Sequence, residues 1–271
     1  MLKRIFSTIL LWTVVIAVIH FCGAPGGVWL IALLAIVTQY EFSQLLKRTG
    51  LDPFDRLALL AGAAIVLAPF YLEGRNIETT DLLAGAVILF SLRILREREP
   101  HNRIETLAAT LFGLLYVPFM LQFLVRIIIH FNANAGLALC LWLVAVAKFC
   151  DIGALVTGLA MGRHKMAPQI SPNKTWEGVA GGLLVSAGIG ALLAWLGRDY
   201  FPSAFNPLRA ALTALPIAAV SIVSDLVESI IKRRADVKDT GHLIPGIGGA
   251  FDLIDSLILV APVGYFLFLF L

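Results

Sequence analysis

Two stretches of the chain hold acids, lysines and glycines at spacings that suit phosphate and metal chemistry. In Ser224–Lys232, the residues Asp225, Glu228, Ser229 and Lys232 fall at i, i+3, i+4 and i+7, so they share one face of a helix. The opposite face carries Leu226, Val227, Ile230 and Ile231. Asp252 and Asp255, at i and i+3, share a face just ahead of another apolar run. Acids converging in a polar pocket bind a divalent cation, and Mg²⁺ takes oxygen ligands. Between the two acidic stretches lie Lys238-Asp239 and His242-Leu-Ile-Pro-Gly246-Ile-Gly248-Gly249. Glycines there let backbone N–H groups approach a phosphate, and the N-terminus of the following helix adds a favourable dipole. Upstream, the run Ser171-Pro-Asn173-Lys174-Thr175-Trp-Glu177-Gly178 is turn-like from Ser171 to Thr175. Lys174 suits a phosphate, and Thr175 is placed to open the next helix. Asp151 sits at the end of an apolar run. Taken singly, each motif also reads as a charged helix exit, a membrane-flanking anchor or an ordinary loop. His164 and His242 lack metal-ligand spacing and receive no role.

The elements that must position these groups are membrane helices. Of 271 residues, 59% are hydrophobic and only 14% charged, and the mean hydropathy is +0.88. Soluble domains hold about 25% charged residues. The composition excludes a soluble domain, disorder, a coiled coil and collagen. The expected fold is all-α, a polytopic helical bundle. Candidate spans are 5–22, 27–45, 57–72, 79–95, 106–129, 136–156, 178–196, 208–224 and 256–271, nine in all; the fourth is trimmed by Asp81 and Arg93. Residues 1–135 form N-terminal transmembrane helices and 136–271 the catalytic region of a single membrane domain. The first run, preceded by Lys3 and Arg4, is expected to stay uncleaved. Cys22, Cys140 and Cys150 sit in apolar segments and are expected to be small buried residues.

Charge sets the orientation. Seventeen of the 21 Lys and Arg fall at the N-terminus or at every second connection, leaving only Arg75, Arg126, Arg198 and Arg209 on the other side. By the positive-inside rule the N-terminus is cytoplasmic. The net charge of +3 therefore reports topology, and no nucleic-acid partner is expected. The long connections 148–177 and 225–255 then lie on the cytoplasmic side. Ala210–Ser224 and Ser256–Leu271 span only about 22 and 24 Å as helices, against a hydrocarbon core of about 30 Å. Asp225, Asp252 and Asp255 are thus placed below the cytoplasmic headgroups, where a carboxylate needs a partner or a watery cavity.

From about residue 148 to 258 the motifs resemble those of the phosphatidate cytidylyltransferases, the CDP-diacylglycerol synthases. The resemblance rests on Asp151-Ile-Gly-Ala154, Gly162-Arg-His-Lys165-Met-Ala-Pro168, Ile170-Ser-Pro-Asn-Lys174-Thr175-Trp-Glu177-Gly178 and Ser224-Asp225-Leu-Val-Glu228. It continues through Ser229-Ile-Ile-Lys232-Arg233, Lys238-Asp239, Pro245-Gly246, Gly248-Gly249 and Asp252…Asp255. Glu41-Phe42 and Leu115-Tyr116-Val117 are lesser echoes. The family pattern has His where this chain has Ile247, and Arg where it has Leu253, so roles resting on those side chains are absent here or moved.

The resemblance implies transfer of a cytidylyl group from CTP to phosphatidate in the bilayer, giving CDP-diacylglycerol and pyrophosphate. It implies Mg²⁺ held by Asp225 and Asp252, with or without a monovalent cation such as K⁺ beside it. Catalytic roles fall to Asp225, Asp252, Lys232, Lys238 and Asp239. Substrate-binding roles fall to Asp151, Ser171, Asn173, Lys174, Thr175, Glu177, Glu228, Gly248, Gly249 and Asp255. The expected location is the bacterial inner membrane with a cytoplasmic site, and a homodimer is one option. A related CTP-dependent enzyme acting on a polyprenol or ether lipid is the alternative within this chemistry. An ion-coupled transporter is the alternative outside it, against which stand the clustering of acids at one face and the lack of an evident repeat.

Overall fold

The computed structural model describes residues 2–96, 102–241 and 248–271. Pro245, Gly246 and Ile247, with His242 and Arg98, lie outside the described residues. The chain divides into two compact units, Met1–Ile129 with Arg234–Ile254, and His130–Arg233 with Asp255–Leu271.

In the first unit, α1 (Leu2–Arg48) covers two of the expected spans. It breaks at Gly23, whose φ of 58° and ψ of −143° lie where a side chain is strained, so the residue type permits the break. At 47 residues, α1 is about 70 Å long, enough for two crossings. Helix α2 (Asp55–Tyr71) packs on its second half. Gln39 fixes that contact by donating its amide N–H to the Ala58 carbonyl at 2.9 Å, the kind of polar link that joins helices in lipid. Helix α3 (Thr79–Ile94) opens with a capping box of Glu78 and Asp81. Asp81 is thus a helix start rather than an acid inside a span. Helices α4 (Arg103–Leu114) and α5 (Met120–His130) are one rod joined by a wide turn at Leu115–Phe119. That turn contains Pro118, which has no N–H to give to an α-helical ladder. The core is aromatic: Phe42 meets both Tyr116 and Phe251 at 5.5 Å between ring centroids.

The second unit is built on α6 (Ala133–Met161) and α7 (Trp176–Leu196), joined by a short hairpin of β1 (Lys165–Ala167) and β2 (Ser171–Thr175). The pairing is antiparallel, Lys165 opposite Thr175 and Ala167 opposite Ser171. The expectation of a purely α fold is therefore corrected by one hairpin, and the loop expected from residue 148 begins only after Met161. Helices α6 and α7 approach so closely that a Cβ on Gly181 would sit 2.0 Å from the Thr157 hydroxyl, and small residues at such faces are what membrane helices use. Trp142 donates to the Gly190 carbonyl at 2.9 Å and packs edge-on against Phe205 and Phe268. Helix α8 (Pro207–Arg234) runs unbroken through Lys232, as expected, and ends before Asp236, whose φ is 54°. Helix α9 (Ala250–Phe268) begins in the first unit and continues in the second.

Among the described residues, six helices are long and apolar enough to cross a membrane. The expected count of nine is not reached on that measure. The two halves of α1 merge, and α2 and α3 have 17 and 16 residues, about 25 Å each.

Candidate active site

In the second unit, α8 presents Asp225 and Glu228 on one face, and α9 brings Asp255 to them. One oxygen from each of the three acids lies within 4.8 Å of the others. Lysines surround the group. Lys174, at the end of β2, reaches Asp225 at 2.7 Å and the Ile222 carbonyl at 3.3 Å. Lys148, on α6, lies 3.2 Å from Asp255 and 3.8 Å from Asp151, and donates to the Ser256 hydroxyl at 2.8 Å. Lys232 pairs with Glu228 one turn earlier on the same helix at 2.5 Å. Glu228 is only 2% exposed.

Two serines tie α9 to this cluster. Ser224, fully buried, donates its hydroxyl to the Asp255 carbonyl in a short hydrogen bond. The Ser256 N–H donates to the Asp255 carboxylate at 2.5 Å. Lys174 is aimed by its neighbours on the hairpin. Thr175 caps α7, its hydroxyl accepting the Gly178 N–H at 3.1 Å. Glu177 accepts the backbone N–H groups of Arg163 and His164 and pairs with the His164 ring at 2.6 Å. Ser171 is partly buried at the start of β2, and Asn173 is exposed on it.

The remaining expected residues belong to the first unit. Lys238 and Asp239 are exposed. Asp252, in the first turn of α9, accepts the Thr240 N–H at 3.0 Å and the Gly249 N–H at 2.8 Å. Gly248 has φ +125°, and a Cβ on it would lie 2.3 Å from the Asp252 carboxylate. A Cβ on Gly249 would lie 2.3 Å from a carboxylate oxygen of Glu41. These glycine backbones approach carboxylates, whereas the sequence expectation was an approach to a phosphate.

Sequence reasoning missed Lys148, counted only as a topological charge, and Glu41, noted only as an echo. The signal for Lys148 was its i, i+3 pairing with Asp151 inside an apolar run. The signal for Glu41 was an acid inside a span. Glu41 is 8% exposed and accepts the Phe251 N–H at 2.8 Å, a partner 210 residues away.

The cluster in the second unit fits a cation. Among its described residues, Asp151, Asp225, Glu228 and Asp255 face Lys148, Lys174 and Lys232, which leaves one formal negative charge in excess. The grouped donors are all carboxylate oxygens, the set that hard divalent ions take.

A polytopic helical membrane protein carrying an acid–lysine centre is the class that fold and site define. Residues 2–271 match the model of the cytidylyltransferase family. A phosphatidate cytidylyltransferase of Thermotoga maritima is 32% identical over 255 residues, covering 93% of this chain and 90% of that protein. Another, from Synechocystis, is 30% identical over 271 residues, covering 89% of this chain and 88% of its own. The uncharacterized protein YnbB of Escherichia coli is 37% identical over 190 residues, covering 68% of this chain; the match spans 60% of YnbB. The chain belongs to the cytidylyltransferase family.

Proposed function

We propose that this enzyme transfers the cytidylyl group of CTP to phosphatidate, releasing pyrophosphate and leaving CDP-diacylglycerol in the bilayer. The observation that carries the reading is the cluster of Asp225, Glu228 and Asp255 on two long apolar helices, ringed by Lys148 of α6, Lys232 of α8 and Lys174 of the hairpin. Relatives named for this activity align over about nine-tenths of the chain.

The chemistry asks little proton transfer of the protein. A phosphate monoester has its second pKa near 6, so phosphatidate arrives as a ready nucleophile. The obstacle is repulsion between an anionic nucleophile and an anionic triphosphate, and catalysis is positioning and charge neutralisation. Asp225, Glu228 and Asp255 hold Mg²⁺ in this reading, with or without K⁺. The resemblance adds Asp252 as a ligand. A bound divalent ion supplies Lewis-acid stabilisation of the triphosphate and the departing pyrophosphate. Lys174 and Lys148 orient the acids through their ion pairs and would meet the substrate phosphates. Lys232 holds Glu228 in place. Lys238 and Asp239 serve the same charge. Ser171, Asn173, Thr175, Glu177, Gly248 and Gly249 shape and position the phosphate-binding loops.

The same reading includes nine crossings, with the two halves of α1, α2 and α3 all in the membrane. It places the N-terminus and the site on the cytoplasmic side of an inner membrane, following the 17-to-4 distribution of basic residues. A homodimer is the proposed assembly.

The test is a CTP assay on purified protein with phosphatidate in mixed micelles. Formation of CDP-diacylglycerol that stops on chelation of Mg²⁺ is the expected result. Labelled CTP giving a phosphorylated lipid alcohol instead would overturn the proposal.

A further inference from the structure

The first unit contains a cleft of about 550 Å³ that the acid–lysine chemistry does not use. Its walls include Tyr40, Glu41, Gln44 and Arg48 of α1, with Thr240 and Gly241 opposite. On α1 the four fall at i, i+1, i+4 and i+8, one continuous stripe at the end of the helix. The walls are chemically uneven. Tyr40 is half exposed and offers a ring face. Arg48 is exposed, and the neighbouring Lys47 is tied to Asp55 and Asp52. Glu41 is more than nine-tenths buried. Its Oε2 accepts the Phe251 N–H at 2.8 Å and the Thr240 hydroxyl at 3.4 Å. Its Oε1 accepts from no described residue.

We infer that this cleft takes the pyrimidine base of the nucleotide, with Glu41 Oε1 accepting a hydrogen bond from the 4-amino group of cytosine. The inference rests on the nucleotide assignment above and names its base subsite. A carboxylate oxygen set to accept repels a phosphate and takes an N–H, an O–H or a cation; of the two substrates' groups only N–H and O–H donors qualify. Phosphatidate, as the dianion, presents neither at its phosphate. CTP presents two donors, the base amino group and the ribose hydroxyls. The amino group is the better match, because a carboxylate accepting from the cytosine 4-amino group is an established pairing and Tyr40 stands at the same opening to stack on the ring. Uracil places a carbonyl oxygen where the amino group would be. Glu41 thereby discriminates CTP from UTP, and Arg48 meets negative charge at the rim.

Calorimetric titration of the purified full-length protein in detergent micelles, with Mg²⁺ and each of CTP, UTP and dCTP, tests this. The wild type is expected to prefer CTP over UTP by about tenfold or more, the scale of one specific base contact. Glu41→Gln keeps an oxygen for the Phe251 N–H and gains an amide that can donate to a carbonyl. It is expected to bring the CTP-to-UTP ratio within about threefold while the CTP-to-dCTP ratio holds. Tyr40→Leu, an exposed change that does not touch the core, is expected to weaken CTP and UTP by the same factor, about fivefold or more, since stacking is indifferent to base identity. Equal wild-type affinity for CTP and UTP overturns the inference, as does an unchanged ratio in Glu41→Gln, a shift in the dCTP ratio instead, or unchanged CTP affinity in Tyr40→Leu. Titration needs no lipid, so the two proposals separate. Glu41-dependent base selectivity without CDP-diacylglycerol synthesis would remove the reaction and keep the subsite. Synthesis with unchanged selectivity in Glu41→Gln would do the reverse.

Discussion

The two units treat their carboxylates in opposite ways. In the first, Glu41 and Asp252 accept backbone N–H groups at the start of α9. In the second, Asp225, Glu228 and Asp255 face lysine ammonium groups. A backbone N–H is fixed and neutral, and a carboxylate held by one organises a helix terminus. An ammonium on a flexible stem can swing away, and an acid held by one is free to accept a metal ion or give way to a substrate phosphate. The first arrangement fixes a carboxylate in place beside a loop. The second stores charge that chemistry can redistribute.

The sharpest way to break this comparison is to remove charge without removing shape. Asp225→Asn should abolish detectable turnover, a loss of about 10³-fold or more, with the folded yield retained. Full activity in that variant would refute the cation assignment. Asp252→Asn is the companion test. Asparagine still accepts from the Thr240 and Gly249 N–H groups, so the helix start survives and only the charge is lost. A comparable loss of turnover at unchanged thermal stability is expected, and assay beside a melting curve checks it. Retained activity would make Asp252 a helix-capping residue only.

Much of the second unit could be read from residue spacing. Asp225, Glu228 and Lys232 lie on one helix face because their intervals follow the helical repeat. The short apolar run after Asp255 set its depth, but the sequence reading paired Asp225 with Asp252 as the metal ligands and gave Asp255 a substrate-binding role. For Lys148 only the i, i+3 spacing to Asp151 was legible, since its other partners Asp255 and Ser256 lie 107 and 108 residues on. The hairpin at 165–175 was hidden because a three-residue strand next to Pro168 carries no periodic signal. The contact of Glu41 with Phe251 has no local trace either. Span counting failed for a different reason. Hydropathy detects apolar runs, but the break at Gly23 and the capping box at Glu78 and Asp81 are backbone events.

Lys148 sharpens the comparison from the side of stability. It compensates Asp255 and Asp151 from a long apolar helix, and removing one partner of a partly buried pair leaves the other charge uncompensated. Lys148→Met should lower the folded yield in detergent steeply. Adding Asp255→Asn should restore much of that yield without restoring turnover. If the double variant were no more stable than the single one, the lysine would be acting through packing alone.

The smallest effect belongs to the hairpin that aims Lys174. Thr175 is buried, and its hydroxyl accepts the Gly178 N–H to start α7. Valine is nearly the same shape but cannot accept, so Thr175→Val orphans one N–H, at about 1 kcal/mol of stability. Lys174 is the adjacent residue and depends on this cap for its direction toward Asp225, 2.7 Å away. Turnover should therefore fall by several-fold, well short of the loss in Asp225→Asn, and Thr175→Ser, which keeps the acceptor, should recover most of it. The comparison would fail here if valine and serine behaved alike, for the cap would then be irrelevant to the charge it positions.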